Sequence, residues 1–229
     1  MLKLTGVGAD TSPVAVVMAN TASPKSVSHR VHRTEKLGRA VDAAREREDL
    51  VICEGYLDVM AFERAHGPPA VAPMGTAVTP EQLALAWRHV DEPCLCLDGD
   101  KAGQAAMARA VETALPLLKP GKSLTFVTLP DGVDPDELLM ASGAEALSSA
   151  LKARVSLSDV VWREIIHDRD KETGALTPVD VSTPERRAKF KQRITERAAA
   201  IADQEVRRQY ENDLAARLKA FEKEKGVKF

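Results

Sequence analysis

A chain of 229 residues, 44% hydrophobic and 29% charged, has the make-up of an ordinary globular protein with one good core, or one domain plus an appended element. Its formal net charge of -2 excludes the global basic footprint of a stand-alone DNA binder, and 4% aromatics excludes a broad array of base-stacking side chains. Cys53, Cys94 and Cys96 lack a second Cys or His pair at zinc-ligand spacing, so they read as small apolar core residues and no zinc site is expected. No run reaches the roughly 18 apolar residues that span a bilayer. The apolar stretch 14–19 is short and lacks a basic leader, so no membrane partner is expected and the location is read as cytoplasmic.

In residues 1–30, Gly, Ser, Thr, Pro and Asn punctuate one apolar run, Val14 to Met18, which suits a strand. From His32 to Glu48 the pattern turns charged and helical, with Leu37, Ala40, Val41 and Ala44 on one side. Leu50-Val51-Ile52-Cys53 then reads as a strand buried on both faces, followed by Glu54-Gly55-Tyr56-Leu57-Asp58 and a helix through Val59, Met60, Phe62 and Ala65. Gly67-Pro68-Pro69 breaks that helix ahead of a short strand, Ala70-Val71-Ala72. Thr79-Pro80-Glu81-Gln82 supplies a helix start, with a capping Thr, Pro at the first helical position and Gln to close a capping box.

A second buried run, Cys94-Leu95-Cys96-Leu97, leads into Asp98-Gly99-Asp100 and a helix from Ala102 toward Leu115, which Pro116 should kink or end. Residues 123–129 partly alternate as a strand with one wetter face, and Asp134-Pro135-Asp136-Glu137 opens another helix. Four strand–helix repeats with short connections predict an α/β fold: an open, mainly parallel four-stranded sheet with flanking helices. Beyond about Leu147 strand signals disappear, and an all-α segment is expected. It holds a helix at Val160–Ile166, an exposed loop from Asp168 to Val181, a basic helix from Thr183, and a last helix over roughly Asp203–Lys223. In that last helix Val206, Tyr210, Leu214 and Leu218 share one face.

Each acidic pair has a plain explanation alone. Asp-Gly-Asp is a common turn, acids favour the start of a helix, and Glu54-Gly55 can be one more turn. Together they say more. Parallel connectivity puts the three acid-bearing strand ends on one edge, the edge where open α/β sheets hold ligands. Carboxylates brought together there repel and raise one another's pKa unless a cation sits among them. A hard divalent ion resolves the conflict and supplies what phosphoryl transfer needs. Lys101, beside the pair, could add a phosphate contact, although a solvated lysine is the plainer and favoured reading.

The series Glu54-Gly55-Tyr56-Leu57-Asp58-Val59, Ala72-Pro73-Met74-Gly75-Thr76-Ala77, Asp98-Gly99-Asp100-Lys101-Ala102-Gly103 and Leu129-Pro130-Asp131-Gly132-Val133-Asp134-Pro135-Asp136 resembles the Toprim domain of bacterial replicative primases. A Glu and an Asp-x-Asp alone would leave topoisomerases, gyrases and small nucleases open; the Gly-Thr and Asp-Pro-Asp elements in this order are more specific. The resemblance implies a Toprim fold over 49–146, followed by a helical segment over 147–229, where Val181–Arg187 is also similar. It implies that 1–48 is the remnant of an N-terminal polymerase subdomain or a linker.

The resemblance further implies that Glu54, Asp58, Asp98, Asp100, Asp134 and Asp136 hold Mg²⁺ or Mn²⁺. Glu54, Asp98 and Asp100 would be the catalytic acids, and Gly75, Thr76 and Lys101 would border the nucleotide. The implied activity is primer synthesis from NTPs on a single-stranded DNA template, with a replicative helicase as a further partner. The family's zinc-binding domain has no counterpart here and little of its basic template-gripping subdomain is visible, so priming by this chain alone is not implied. A small Toprim nuclease, or a docking module using the 206–218 face, are the alternatives.

Overall fold

A computed structural model describes residues 16–17, 42–73, 78–170 and 174–229. A helix occupies 42–47 (α1). The sheet strands are Val16–Val17 (β1), Val51–Ile52 (β2), Ala70–Ala72 (β3), Cys94–Leu97 (β4), Thr125–Thr128 (β5) and Val155–Ser156 (β6). Helices Tyr56–Arg64 (α2), Pro80–Ala86 (α3), Lys101–Ala114 (α4) and Pro135–Lys152 (α5) alternate with them. Then come Leu157–Ile166 (α6), the strands His167–Arg169 (β7) and Leu176–Pro178 (β8), and the helices Pro184–Ala199 (α7) and Gln204–Lys225 (α8).

The four strand–helix repeats form as expected, but the sheet has six strands, in the order β1-β3-β2-β4-β5-β6. All neighbouring pairs are parallel except β5 with β6. The expected four-stranded sheet is thus widened at both edges: by β1, inside the Val14–Met18 run, and by β6. Val155-Ser156 is too short for periodicity to reveal it; β6 forms because Phe126 and Thr125 offer it an open edge. The C-terminal part is not all-α either. Residues 168–181, read as a loop, include most of an antiparallel hairpin, β7 with β8. Its three β8 residues are all exposed, so no apolar alternation announces it.

Alternation along the buried strands sends side chains into two cores. Val51, Cys53, Cys94, Cys96 and Val127 face α2 and α5, meeting Val59, Phe62, Leu147 and Leu151. Ile52, Leu95, Leu97 and Phe126 face the opposite layer of α3, α4 and α6, through Leu83, Met107, Val111 and Val161. Each large apolar side chain buried this way contributes about 1.5–3 kcal/mol, which fixes register, because a one-residue slip would exchange the two cores. The position 146, where the Toprim fold is expected to end, lies within α5. That helix is interrupted at Gly143 (φ 78°) and resumes to bury Leu147 and Leu151.

Caps form where the sequence offers them. Thr79 and Gln82 exchange the two bonds of a capping box, and Thr183 accepts from the Arg186 amide. Pro116 sits in a 3₁₀ turn, Leu115–Leu117, directly after α4. In the C-terminal part, Phe190, Phe221 and Phe229 pack with Trp162. Leu214 is fully buried, and Val206, Tyr210 and Leu218 pack against the same core, so the 206–218 face is spent on its own neighbours. Among the described residues no helix is long and apolar enough to cross a membrane.

Candidate metal centre at the carboxyl edge of the sheet

In sequence order the strands step from β2 out to β3, then return across β2 to β4 and on to β5. The order therefore reverses between β2 and β4, and ligands of open α/β sheets bind in the crevice at such a reversal. Glu54 follows the end of β2 and Asp98 follows the end of β4, so both stand at that crevice. The Asp98 amide donates to Glu54 Oε1 at 3.4 Å. Asp58, in the first turn of α2, is buried, and its carboxylate accepts from the Gly55 amide at 2.8 Å. Asp134, beyond β5, comes near enough to act electrostatically on both Asp58 and Asp98.

Asp100 and Asp134 are also helix caps, as their plain reading has it. Asp100 accepts from the Gly103 amide at 2.8 Å at the head of α4. Asp134 accepts from the Glu137 amide at 2.7 Å at the head of α5. Each commits one carboxylate oxygen; a carboxylate has two, so capping does not preclude holding a cation. Asp136 is placed differently. It forms an ion pair with Arg64, tying α5 to α2, and is not among the acids that act on Asp58 or Asp98. Lys101 is exposed at the first residue of α4. Gly75 and Thr76 lie outside the described residues.

Burial, aided by neighbouring carboxylates, raises two of the acids. Burial, then the charges of Glu54, Asp58, Asp134 and Asp100, raise Asp98 from 3.8 to about 7. Burial, opposed by the Gly55 hydrogen bond and reinforced by Asp134 and Glu54, raises Asp58 from 3.8 to about 6. Asp98 Oδ1 is buried and has no hydrogen-bond partner. A buried carboxylate oxygen facing other carboxylates without a donor is what a hard cation would satisfy. Among the described residues no three acids converge into a ready-made coordination shell. The donor set, all oxygen, fits Mg²⁺ or Mn²⁺ and not a soft metal.

The sign of the linkage follows. In the metal-free protein the folded state keeps these protons to higher pH than the unfolded chain does. Their stabilising contribution is therefore complete below about pH 4 and is lost as pH rises through about 6 and then 7. A cation must displace the same protons. Divalent affinity is expected to rise about tenfold from pH 6 to pH 8. Calorimetry in two buffers of different ionisation enthalpy should show proton release at pH 6 and almost none at pH 8.5; buffer-independent heats at pH 6 would contradict the raised Asp98.

Two glycines, legible in the sequence only as turn formers, build the centre. A Cβ on Gly99 would stand 1.8 Å from the Pro130 carbonyl oxygen, and one on Gly103 would stand 2.1 Å from the Asp98 carbonyl oxygen. The β4–α4 turn is thus pressed backbone to backbone against the β5–α5 turn, and α4 against the strand end. Those contacts hold Asp98 and Asp134 near each other. Arg109 is a further residue that sequence reasoning passes over. It lines a cavity of about 220 Å³ with Glu54, Pro73, Val78 and Ala106.

Residues 48–128 match the Toprim domain family. A DNA primase of Rickettsia felis is 40% identical over 124 residues, 54% of this chain and 21% of the relative. A DNA primase of Pasteurella multocida is 34% identical over 197 residues, 86% of this chain and 32% of the relative. The solved DnaG primase catalytic domain bound to single-stranded DNA superposes with a TM-score of 0.66 at 31% identity, covering 79% of this chain and 55% of that one. The chain spans from about a fifth to a third of the length of these curated relatives.

Proposed function

We propose that the chain forms the metal-binding catalytic portion of a primase, since residues 48–128 match the Toprim domain family and the chain is similar in sequence and fold to the catalytic part of bacterial DNA primases. It would join ribonucleotides into primers on single-stranded DNA, the ligand held by its solved relative. The observation that carries this reading is the set of acids on three adjacent parallel strand ends, with the orphaned Asp98 oxygen among them.

When bound, Mg²⁺ or Mn²⁺ supplies an acidified hydroxyl and neutralises the oxygens of a triphosphate. Glu54, Asp58, Asp98, Asp100 and Asp134 would hold it. Glu54, whose Oε1 sits at the Asp98 amide, is placed to take a proton as well. Asp136 would contribute by fixing α5 through Arg64. Lys101, at the positive end of α4, would meet a phosphate.

The test is nucleotide chemistry with the purified chain. Fluorescent nucleoside triphosphate should bind at least about tenfold more tightly when Mn²⁺ is added, since a cation held by the acids would neutralise phosphate oxygens, and radiolabelled NTP should be incorporated on single-stranded DNA when the family's N-terminal parts are supplied. Triphosphate binding indifferent to divalent ions would overturn the reading. Nicking of supercoiled plasmid without incorporation would replace it with a Toprim nuclease.

A further inference from the structure

Helix α4 has cavities on two flanks. Ala106, Arg109 and Ala110 line the one beside Glu54. Lys101, Gln104 and Met107, at helical spacing of three, line the other, a cavity of about 480 Å³ between α4, α6 and the β7–β8 hairpin. Arg163 from α6 and Arg169 from β7 enter this second cavity, and Gly99 of the acid-bearing turn forms part of its wall. The hairpin is anchored to α4. Arg169 donates to Gln104 Oε1 at 2.7 Å, and the stem of Lys101 lies where a Cβ on Gly174 would meet its Cγ at 3.2 Å.

The charge here is opposite to that of the metal centre. Among the described lining residues, Lys101, Arg163 and Arg169 stand with one acid, Asp131. Both guanidinium groups are half-buried, and among the described residues their hydrogen bonds go to neutral acceptors. Arg163 donates to Met107 Sδ at 3.0 Å, and Arg169 to Gln104 and the Gly174 carbonyl. The neighbouring carboxylate, Glu164, forms an ion pair with Arg197 at 3.2 Å but accepts no hydrogen bond at Oε2, and it also feels the charges of Arg163 and Arg169 without bonding to either. A guanidinium carries five donors, and a thioether is a weak acceptor, so most of the donor capacity of Arg163 stays open to an oxyanion. Arg is also the side chain suited to planar, two-pronged contact with phosphate.

We propose that this cavity is a phosphate-binding site on the hairpin flank of the Asp98-Gly99-Asp100 turn, and that Arg163 and Arg169 take phosphate oxygens of a nucleic-acid strand or of a nucleotide tail. The proposal rests on the reading of the neighbouring edge as a nucleotide-handling centre only for the source of the phosphate. The cations and the cavity stand without it. On this view the hairpin carries one wall of a basic trough beside an acidic centre, so that a polyanion can lie along a site whose own acids would repel it.

The experiment compares wild type with the Arg163→Gln, Arg169→Gln double variant. Binding of inorganic tripolyphosphate, of nucleoside triphosphate and of a labelled single-stranded oligonucleotide is measured over a salt series, with Mn²⁺ binding followed in parallel. Tripolyphosphate affinity should fall about tenfold in the variant while Mn²⁺ affinity is retained. If the source is a strand, the log–log salt slope for the oligonucleotide should also shrink by about 1.4, at about 0.7 per lost cation. If it is a nucleotide, the nucleoside triphosphate affinity should fall with that for tripolyphosphate while the oligonucleotide affinity and slope stay unchanged.

Arg163→Lys, Arg169→Lys, which keeps charge, should recover part of the loss; that separates charge from packing. Unchanged affinity for all three probes in the double Gln variant, or no tripolyphosphate binding by wild type, would overturn the site. Loss of Mn²⁺ binding in wild type would instead sink the metal-centre reading and leave this one standing.

Discussion

Replacing Asp98 with alanine is expected to lower the proposed divalent-dependent nucleotide incorporation roughly a thousandfold, the scale of several kcal/mol of lost charge stabilisation, without lowering the melting temperature. The two outcomes belong together. Asp98 is the acid on which burial and the charges of Glu54, Asp58, Asp134 and Asp100 all press, and its Oδ1 has no donor. In the metal-free fold it is a liability, so its removal should leave stability equal or higher at pH 8, where the repulsion is greatest. Asp98→Asn should behave likewise, since it removes the charge but keeps the shape. A functional acid is told from a structural one by this pattern of lost activity with retained stability. An Asp98→Ala protein that melts several degrees lower would mark the carboxylate as structural.

The second large effect concerns a residue with no side chain. Gly99→Ala would place a methyl carbon 1.8 Å from the Pro130 carbonyl oxygen, 2.5 Å from its carbon and 2.6 Å from the Leu129 carbonyl oxygen. All three are backbone atoms of the neighbouring turn and cannot swing aside, so the two turns must part. Overpacking against backbone is expected to cost about 3 kcal/mol, or roughly 6–12 °C in Tm for a chain of this size. The parted turns also carry Asp98 away from Asp134, so divalent affinity should fall with stability. Gly55→Ala is the comparison: its new methyl meets only the end of the Asp58 side chain, at 3.3 Å, and should cost less than about 1 kcal/mol. Thermal melts with a Mn²⁺ titration of both variants check the contrast, and equal melting temperatures would refute it.

Much of this was legible in the residues. The runs Val51–Cys53 and Cys94–Leu97 are apolar at every position because each strand is covered on both faces, and continuous runs are the mark of that burial. Thr79, Asp134 and Thr183 announced helix starts because a cap is a local bond between near neighbours. The convergence of acid-bearing strand ends followed from parallel connectivity, which the strand–helix alternation already implies.

What stayed hidden depends on contacts distant in sequence. Asp136 reads like its neighbour Asp134, and only the fold brings Arg64 of α2 against it. Gly99 and Gly103 look like turn formers until the backbones they touch are in place. The β7–β8 hairpin pairs polar residues at the surface, so hydrophobic periodicity gives it no signature, and the meeting of Arg169 with Gln104, 65 positions apart, has none either. The two strand residues of β6, Val155–Ser156, are too few for any period to register.

Everything proposed for the carboxyl edge of the sheet depends on a divalent cation bound there through Asp98 and its neighbours. Titrating the protein with Mn²⁺ at pH 8 and counting free ion by electron paramagnetic resonance addresses that binding directly. Millimolar or tighter binding by wild type, abolished in Asp98→Ala and retained in Arg163→Gln, is the predicted result. Binding that is absent in wild type, or indifferent to the loss of Asp98, would contradict it.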